Sequence, residues 1–340
     1  MAVTLKDIAK RAGVSATTVS LVLNQGSNSR ISEDTQNKIL HIAKELGYHS
    51  SKAVPNSPLT VPPAIGLVFT DITNPFFTAL AGVIEDVASR YGYNIILCNT
   101  QRNLKKEQEY LHVLIRRRID GLIIAPVDVQ ESNVEDFIAQ NIPVVFIDRF
   151  ISSQRKRHAV LVDNVKGAFV ATEHLLSLGH RRIGIINGRR NVSTGQDRLT
   201  GYIDALQTYA VSVDEDLVAD GLFTVEEGQE ATKILLDLSR PPTAIFCSGG
   251  VMTVGALLEM KDRGMTLPRD LSFISFDDEK WCTLIDPPLT VVAQPTNTIG
   301  AEAAQMVIQL IQGWGTEESQ QIVLEPQLII RESCAPYMEN

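Results

Sequence analysis

The sequence predicts a small all-α head in front of an α/β core that contains two doubly wound parallel-sheet subdomains. Three observations lead to this fold class. Apolar residues recur with helical spacing in the first 48 residues, and beyond residue 63 short apolar runs alternate with helical patterns. Between these regions lies KAVPNSPLTVPP, in which four prolines among twelve residues oppose helix formation. We therefore expect a head over 1–48, a Pro-rich linker over 49–63 and a core over 64–340.

The composition is typical of a globular protein with a large core. The chain has 340 residues, of which 44% are hydrophobic and 21% charged, enough for two or three domains. The four cysteines form no C-x-x-C pair and show no zinc spacing, which indicates reduced thiols in a cytoplasmic protein. The N-terminus lacks the apolar segment of a signal peptide, and no run of about 18 apolar residues could cross a membrane.

Charge is distributed unevenly along the chain. The net charge is −9, but residues 1–52 carry seven Lys/Arg and four Asp/Glu, a net +3, so the remainder carries −12. A basic head on an acidic body indicates that the head alone would meet a polyanion.

The head is predicted to form three short helices. Thr4, Ser15 and Ser32 can cap them, and Gly13 ends the first. Only Gly-Val-Ser separates the first two helices, which predicts a helix-turn-helix. Its second helix exposes short side chains that can approach phosphates and base edges, namely Ala16, Thr17, Thr18, Ser20 and Leu21. The alternative is a plain three-helix bundle that binds another protein.

Two segments of the head, TLKDIAKRAGVSATTVSLVLN and RISEDTQNKILHIAKELGY, resemble the DNA-binding head of the lactose-repressor (LacI/GalR) family. The resemblance implies sequence-specific DNA binding, with bases read from Ala16, Thr17 and Leu21. Of these only Thr17 can form a hydrogen bond to a base. The predicted DNA contacts are Thr4, Ser15, Ala16, Thr17, Thr18, Ser20, Leu21, Asn24, Arg30 and Leu59.

The linker departs from the pattern of that family. The resemblance implies a short hinge helix that forms on DNA and inserts a leucine into the minor groove. Here Ser57 stands at the leucine position, and Pro58 falls where the helix should run, at a cost of about 3 kcal/mol for an interior proline. We expect an extended, polyproline-like strap, with Leu59 as the candidate replacement for the leucine.

Beyond the linker, eight apolar runs are predicted strands: 64–69, 94–100, 121–126, 143–148, 158–163, 182–187, 243–248 and 271–277. Their alternation with helices predicts parallel sheets that are covered on both faces. In such folds ligands bind beyond the carboxyl ends of the strands.

The core resembles the periplasmic-binding-protein-like (type I) core of the same family, through IGLVFTDITNPFF, DGLIIAP, PVVFIDR, HLLSLGHRRIGIING and PPLTVVAQP. The resemblance implies three crossings between two subdomains, near 163, 292 and 325. The implied N-subdomain covers about 64–162 and 293–324, and the C-subdomain about 163–292 and 325–335.

Side chains at predicted strand ends could line a ligand cleft: Phe76, Phe77, Asp148, Arg149, Thr194, Arg198, Phe223, Asp277 and Trp281. Aromatic rings with Asp and Arg suit a polyhydroxylated ligand. The resemblance implies effector contacts at Phe76, Thr194, Arg198, Phe223 and Asp277. As alternatives, Phe77 and Phe223 could be core residues, and Arg198 and Asp277 could form an ion pair at the hinge. Gly250 stands where the family usually has Asp, which puts one hydroxyl contact in doubt.

The sequence predicts a DNA-binding transcriptional regulator that acts as a repressor. It would bind a palindromic operator as a homodimer, under the control of a small carbohydrate-like effector. No leucine heptads follow Glu332, which favours a dimer over a tetramer. The absence of catalytic motifs and of metal-spaced clusters predicts no enzyme activity and no cofactor. The alternative is a cytoplasmic sugar-sensing protein with a degenerate DNA-binding head.

Overall fold

The computed structural model describes residues 5–16, 18–19, 22, 31–45, 62–128, 134–150, 157–314 and 318–338. Contacts between Cα atoms divide the chain into two units, with the boundary after Pro62. The first unit contains the head and the second contains the core.

The head contains helices α1 (Leu5–Ala12) and α2 (Glu33–Glu45), and residues 16, 18, 19 and 22 between them are also helical. The backbone of Gly13, with φ of 75°, ends α1 as predicted. Ser15 Oγ accepts a hydrogen bond from the Thr18 N–H at 3.0 Å, which confirms the predicted cap. Ile8, Val19 and Ile39 are completely buried and join the three helical segments in one small core. These observations confirm the helix-turn-helix head.

The first sheet of the core has six parallel strands in the order β11-β5-β4-β3-β1-β2. The strands are β1 (Ala64–Phe69), β2 (Asn94–Asn99), β3 (Gly121–Ile124), β4 (Val144–Ile147), β5 (His158–Val162) and β11 (Gln321–Leu324). Its helices are α3 (Pro75–Arg90), α4 (Leu104–Arg116), α5 (Glu135–Ala139) and α10 (Thr296–Ile311). We call this sheet with its helices the first half of the core.

The second sheet also has six strands, in the order β12-β10-β9-β8-β6-β7, and only β12 is antiparallel to its neighbour. The strands are β6 (Ile183–Asn187), β7 (Val218–Asp220), β8 (Ala244–Cys247), β9 (Ser272–Phe276), β10 (Thr290–Ala293) and β12 (Gln327–Ile329). Its helices are α6 (Asn164–Ser177), α7 (Ser193–Thr208), α8 (Val225–Leu236) and α9 (Gly250–Asp262). Together they form the second half of the core.

The chain changes halves three times. It leaves the first half after Val162 and returns after Ala293, because β10 belongs to the second sheet while α10 packs on the first. It leaves again after Leu324, since β11 and β12 belong to different sheets.

Each sheet is buried on both faces, as the continuous apolar runs predict. Helices α3 and α10 cover one face of the first sheet, and α4 and α5 cover the other. Helices α6 and α7 cover one face of the second sheet, and α8 and α9 cover the other. All eight predicted strands are present, whereas β7, β10, β11 and β12 were not predicted as strands. Among the described helices, none has both the length and the apolar character needed to span a membrane.

Two helix pairs of the second half pack so closely that glycine is required at the crossing. A Cβ atom on Gly201 of α7 would lie 2.1 Å from the carbonyl oxygen of Val165 on α6. A Cβ atom on Gly255 of α9 would lie 1.9 Å from the carbonyl oxygen of Val225 on α8. Both distances are far below van der Waals contact, and backbone atoms cannot move aside cheaply.

Gly201→Ala should therefore separate α6 from α7 and lower the free energy of unfolding by about 2 kcal/mol or more. The matched control is Gly82→Ala in α3, where a Cβ would meet nothing within 4 Å. That exposed substitution should raise stability by about 0.5–1 kcal/mol, because alanine favours helix over glycine. Urea unfolding of the two variants measures both effects. Equal effects at the two positions would contradict the close-packing argument.

Candidate functional site

A narrow polar cavity lies at the carboxyl ends of strands from both halves of the core. Its lining residues are Thr70, Asp71, Asn74, Phe76, Phe77, Arg102, Asp148, Arg149, Thr194, Arg198, Phe223, Gly249, Gly250, Val251, Asp277 and Gln294. The cavity volume of about 30 Å³ corresponds to roughly one water molecule, because contacts between the two halves nearly fill the space. The location is the one that doubly wound folds favour for ligands.

The structure brings eight of the nine predicted cleft residues together in this lining. Trp281 is the exception. It lies on a short 3₁₀ turn, Lys280–Thr283, where its indole N–H donates to Glu279 Oε2 at 2.6 Å. Its ring packs against the hydrophobic core formed by α8, α9 and the second sheet. Trp281 therefore does not belong to the lining of the cavity, in contrast to the prediction.

Several lining residues were missed from the sequence, in particular Asp71, Asn74, Arg102 and Gln294. They follow β1, β2 and β10, so they occupy the same kind of position as the residues that were predicted. The strand-end rule would have found them if it had been applied evenly to every strand and to every polar side chain.

Arg198 is a buried charge in the cavity lining and is only 3% exposed. Its Nε donates to Asn164 Oδ1 at 2.8 Å, and its Nη1 donates to the Ser248 carbonyl oxygen at 2.6 Å. Its guanidinium carbon also lies 3.6 Å from the centroid of the Phe276 ring. Burial lowers the pKa of Arg198, and these contacts offset part of the cost of placing the charge there.

Asp277 links the cavity to the start of α9. Its Oδ2 accepts from the Gly250 N–H at 3.3 Å, and its Oδ1 accepts from Gln294 Nε2 at 2.5 Å. Helix α9 has no side-chain cap of its own, so Asp277 supplies an anion to its N-terminus from a neighbouring strand. Asp277 bonds to Gly250 and Gln294, whereas Arg198 bonds to Asn164 and Ser248. The ion pair between Arg198 and Asp277 that was considered from the sequence is therefore not formed.

Asp148 and Arg149 form a buried pair, with 3.4 Å between Asp148 Oδ2 and Arg149 Nε. Burial raises the pKa of Asp148, while the neighbouring Arg149 guanidinium lowers it. Burial also lowers the pKa of Arg149. The Arg149 guanidinium carbon lies 5.9 Å from the centroid of the Phe223 ring, and both residues line the cavity.

Backbone strain is concentrated around the cavity. Eight non-glycine residues have positive φ in the part of the chain that the structure describes, and four of them line the cavity. These four are Arg102, Asp148, Phe223 and Asp277, with φ of 58°, 63°, 59° and 77°. Such conformations persist only where the surroundings hold them, and they cluster at ligand sites.

Phe76 and Phe77 belong to the hydrophobic core of the first half as well as to the cavity lining. Their ring centroids lie 5.3 Å apart in an edge-on arrangement. The core alternative considered for Phe77 is therefore compatible with its place in the cavity wall. Within the described residues, no group of three or more His, Cys, Asp or Glu side chains is arranged to hold a metal ion.

Replacing Arg198 by methionine should lower the free energy of unfolding by about 2–3 kcal/mol, because it leaves the Asn164 and Ser248 oxygens without their donor. Arg90→Met is the control, since Arg90 makes an exposed pair with Asp86 on α3. The control should change stability by less than about 1 kcal/mol. Urea unfolding compares the two, and a neutral Arg198→Met would show that the buried bonds contribute little.

Among the residues predicted to contact DNA, the structure describes three. Ser15 is exposed, Ala16 and Thr18 are partly buried, and the Ser15 and Thr18 hydroxyl oxygens lie 2.8 Å apart. The other predicted DNA contacts lie outside the described residues, namely Thr4, Thr17, Ser20, Leu21, Asn24, Arg30 and Leu59. Residues 49–61 of the predicted linker also lie outside them, and the extended strap stays a prediction.

The head and the core together define a class of protein, in which a helix-turn-helix head precedes a periplasmic-binding-protein-like core with a cavity between its halves. Residues 4–51 match the family model "Bacterial regulatory proteins, lacI family", and residues 172–334 match a periplasmic binding protein-like domain. The chain is 36% identical to the HTH-type transcriptional regulator DegA of Bacillus subtilis, with 99% of both chains covered. This chain belongs to the lacI family of bacterial regulatory proteins.

Further relatives and solved structures agree with this assignment. The chain is 32% identical to the HTH-type transcriptional repressor PurR of Pasteurella multocida, over 97% of this chain and 98% of the relative. It is 30% identical to the transcriptional regulator CelR in its cellobiose complex, with a TM-score of 0.74 and with 97% and 99% of the two chains covered. A LacI-family regulator from Enterococcus faecium with bound ribose is 31% identical, with a TM-score of 0.74, over 81% of this chain and 100% of that one.

Proposed function

We propose that this protein is a transcriptional repressor that binds a two-fold symmetric DNA operator as a homodimer and whose DNA affinity is set by a small carbohydrate-like effector in the core cavity. The observation that carries the proposal is the presence, in one chain, of a helix-turn-helix head and a cavity where polar side chains from two halves converge. Relatives that are named transcriptional regulators and repressors support it.

In this proposal residues 1–48 are the DNA-binding domain, 49–63 the linker and 64–340 the effector-binding and dimerisation core. The head has a net positive charge, unlike the rest of the chain, which favours its approach to phosphates. One small head covers only one half-site, so a dimer that presents two heads reads a palindrome. The protein would act in the cytoplasm, where it would meet the chromosome.

The charges of the cavity suit a ligand with several hydroxyl groups. Three arginines, Arg102, Arg149 and Arg198, donate hydrogen bonds, and the three carboxylates Asp71, Asp148 and Asp277 accept them. Two solved relatives are complexes with ribose and with cellobiose, which supports a sugar as the effector. Because the cavity has room for about one water molecule, a sugar must displace contacts between the halves. The sugar can change DNA affinity only if it binds with different affinities to two arrangements of the halves.

Selection of random duplex DNA by the full-length protein, at two salt concentrations, tests the DNA half of the proposal. We expect a two-fold symmetric site whose affinity falls steeply with salt. Thr17→Val should relax one base position in each half-site and leave the salt dependence unchanged, because the hydroxyl is the predicted polar reader. Recovery of an asymmetric site would exclude the symmetric dimer. A tightly constrained central base step would contradict the extended strap.

Calorimetric titration with ribose and with cellobiose tests the effector half of the proposal. At least one sugar should bind, and Asp277→Asn should weaken binding about tenfold or more, because the amide cannot accept the same hydrogen bonds as the carboxylate. Asp86→Asn is the control, since Asp86 lies on the exposed face of α3 and pairs with Arg90. Unchanged binding by Asp277→Asn would remove Asp277 from the site. Sugar binding without any selected DNA would favour the cytoplasmic sugar-sensing alternative.

A further inference from the structure

The ring of Phe223 occupies a slot that two glycines leave open in the wall of the cavity. A Cβ atom on Gly188 would lie 1.8 Å from Phe223 Cζ, so the ring fills the space that any other residue would use. A Cβ atom on Gly249 would lie 3.1 Å from Phe223 Cδ1. Gly188 follows β6 and Gly249 follows β8, so the slot belongs to the second half of the core.

The backbone of Phe223 does not favour this position by itself. Its φ of 59° is a left-handed conformation that a bulky aromatic residue rarely adopts. Contacts from other residues must therefore hold Phe223 in this backbone conformation. The Phe223 carbonyl oxygen accepts a hydrogen bond from Arg102 Nη2 at 2.8 Å.

Arg102 reaches Phe223 from the opposite half of the core. It follows β2 in a short left-handed turn, in which Gln101 and Arg102 have φ of 53° and 58°. The same Nη2 atom also pairs with Asp71 Oδ2 at 2.5 Å. Asp71 Oδ1 is fixed in turn by the Thr73 N–H at 3.0 Å and by the Thr73 hydroxyl at 2.7 Å.

The pair is well shielded from water. The side chain of Arg102 is 20% exposed and that of Asp71 is 13% exposed. A charged donor in such surroundings forms a strong hydrogen bond, because water competes weakly for the carbonyl oxygen. The contact therefore joins the two halves at the wall of the cavity, because Arg102 and Phe223 both line it.

We propose that Arg102 is a positioning residue of the cavity, which holds the Phe223 carbonyl across the cleft, keeps the ring between Gly188 and Gly249, and so limits the size of the effector that can enter. The role in limiting effector size rests on the proposed function, whereas the positioning of the Phe223 ring does not. A ligand larger than water must move this ring or separate the halves. The energy needed for that step depends on the Arg102 bond, which makes Arg102 a determinant of ligand size.

Hydrogen exchange of the full-length protein without sugar or DNA tests the positioning role. Two amides on the Phe223 side of the cleft serve as reporters: the Gly221 N–H, which donates to the Asn187 carbonyl oxygen at 2.7 Å, and the Gly188 N–H, which donates to Ser248 Oγ at 3.1 Å. Arg102→Met should accelerate exchange at both about tenfold, because the cross-cleft bond is lost. Arg90→Met, which removes an exposed arginine of the same half, should leave them unchanged.

Gly188→Ala tests the same contact from the other side without altering Arg102. Its Cβ would expel the ring from the slot, so exchange in residues 100–103 of the first half should also accelerate. If Arg102→Met accelerates exchange only in residues 70–74 and 99–103, the arginine is a local structural residue and the proposal is overturned. Because the experiment contains neither DNA nor sugar, its result is independent of whether the proposed function holds.

A second readout tests the effect on ligand size. Ribose and cellobiose are the probes, and the ratio of their dissociation constants is measured for wild type, Arg102→Met and Arg90→Met. The ratio should shift about tenfold in favour of cellobiose in Arg102→Met alone. An unchanged ratio would overturn the size-limiting role.

Discussion

The burial of charge between two parallel sheets is the constraint on which the rest of the core depends. The carboxyl ends of strands from both sheets meet at one narrow space, where Arg149, Arg198 and Asp277 are buried and therefore need partners within the protein. Arg198 meets this requirement through Asn164, Ser248 and the face of Phe276. Four residues with positive φ also lie in this lining, which is typical of sites where the surroundings hold the backbone in place.

In the proposed function, the contacts that stabilise the core would also recognise the ligand. Asp277 supplies a cap to α9 and also lines the cavity, while Phe76 and Phe77 belong both to a hydrophobic core and to the wall. A ligand that enters must replace contacts that already join the two halves. In the proposed function, ligand binding and the relative arrangement of the halves would therefore be coupled directly, since each alters the same set of bonds.

Most of the fold follows from local sequence pattern, because strands buried on both faces are continuous apolar runs. The short edge strands escape this rule: β7 has three residues, and β11 alternates between exposed and half-buried positions. The strand-end rule located the cavity but not the direction of each side chain. Trp281 lies on a 3₁₀ turn and is not among the lining residues. The bridge from Asp71 through Arg102 to Phe223 joins three distant segments, so only tertiary structure reveals it.

The threefold passage of the chain between the halves also affects how the protein is made. One hydrophobic face of the first sheet is covered in part by α10, and β5 pairs with the edge strand β11 at residues 321–324. During synthesis, a nascent chain that already contains β1 to β5 must wait for more than a hundred further residues before that half can close. Its apolar surface stays partly open through this interval. The second half is completed even later, because its strand β12 lies at residues 327–329. Both halves therefore become complete only when translation is almost finished, and their exposed apolar surfaces need protection until then.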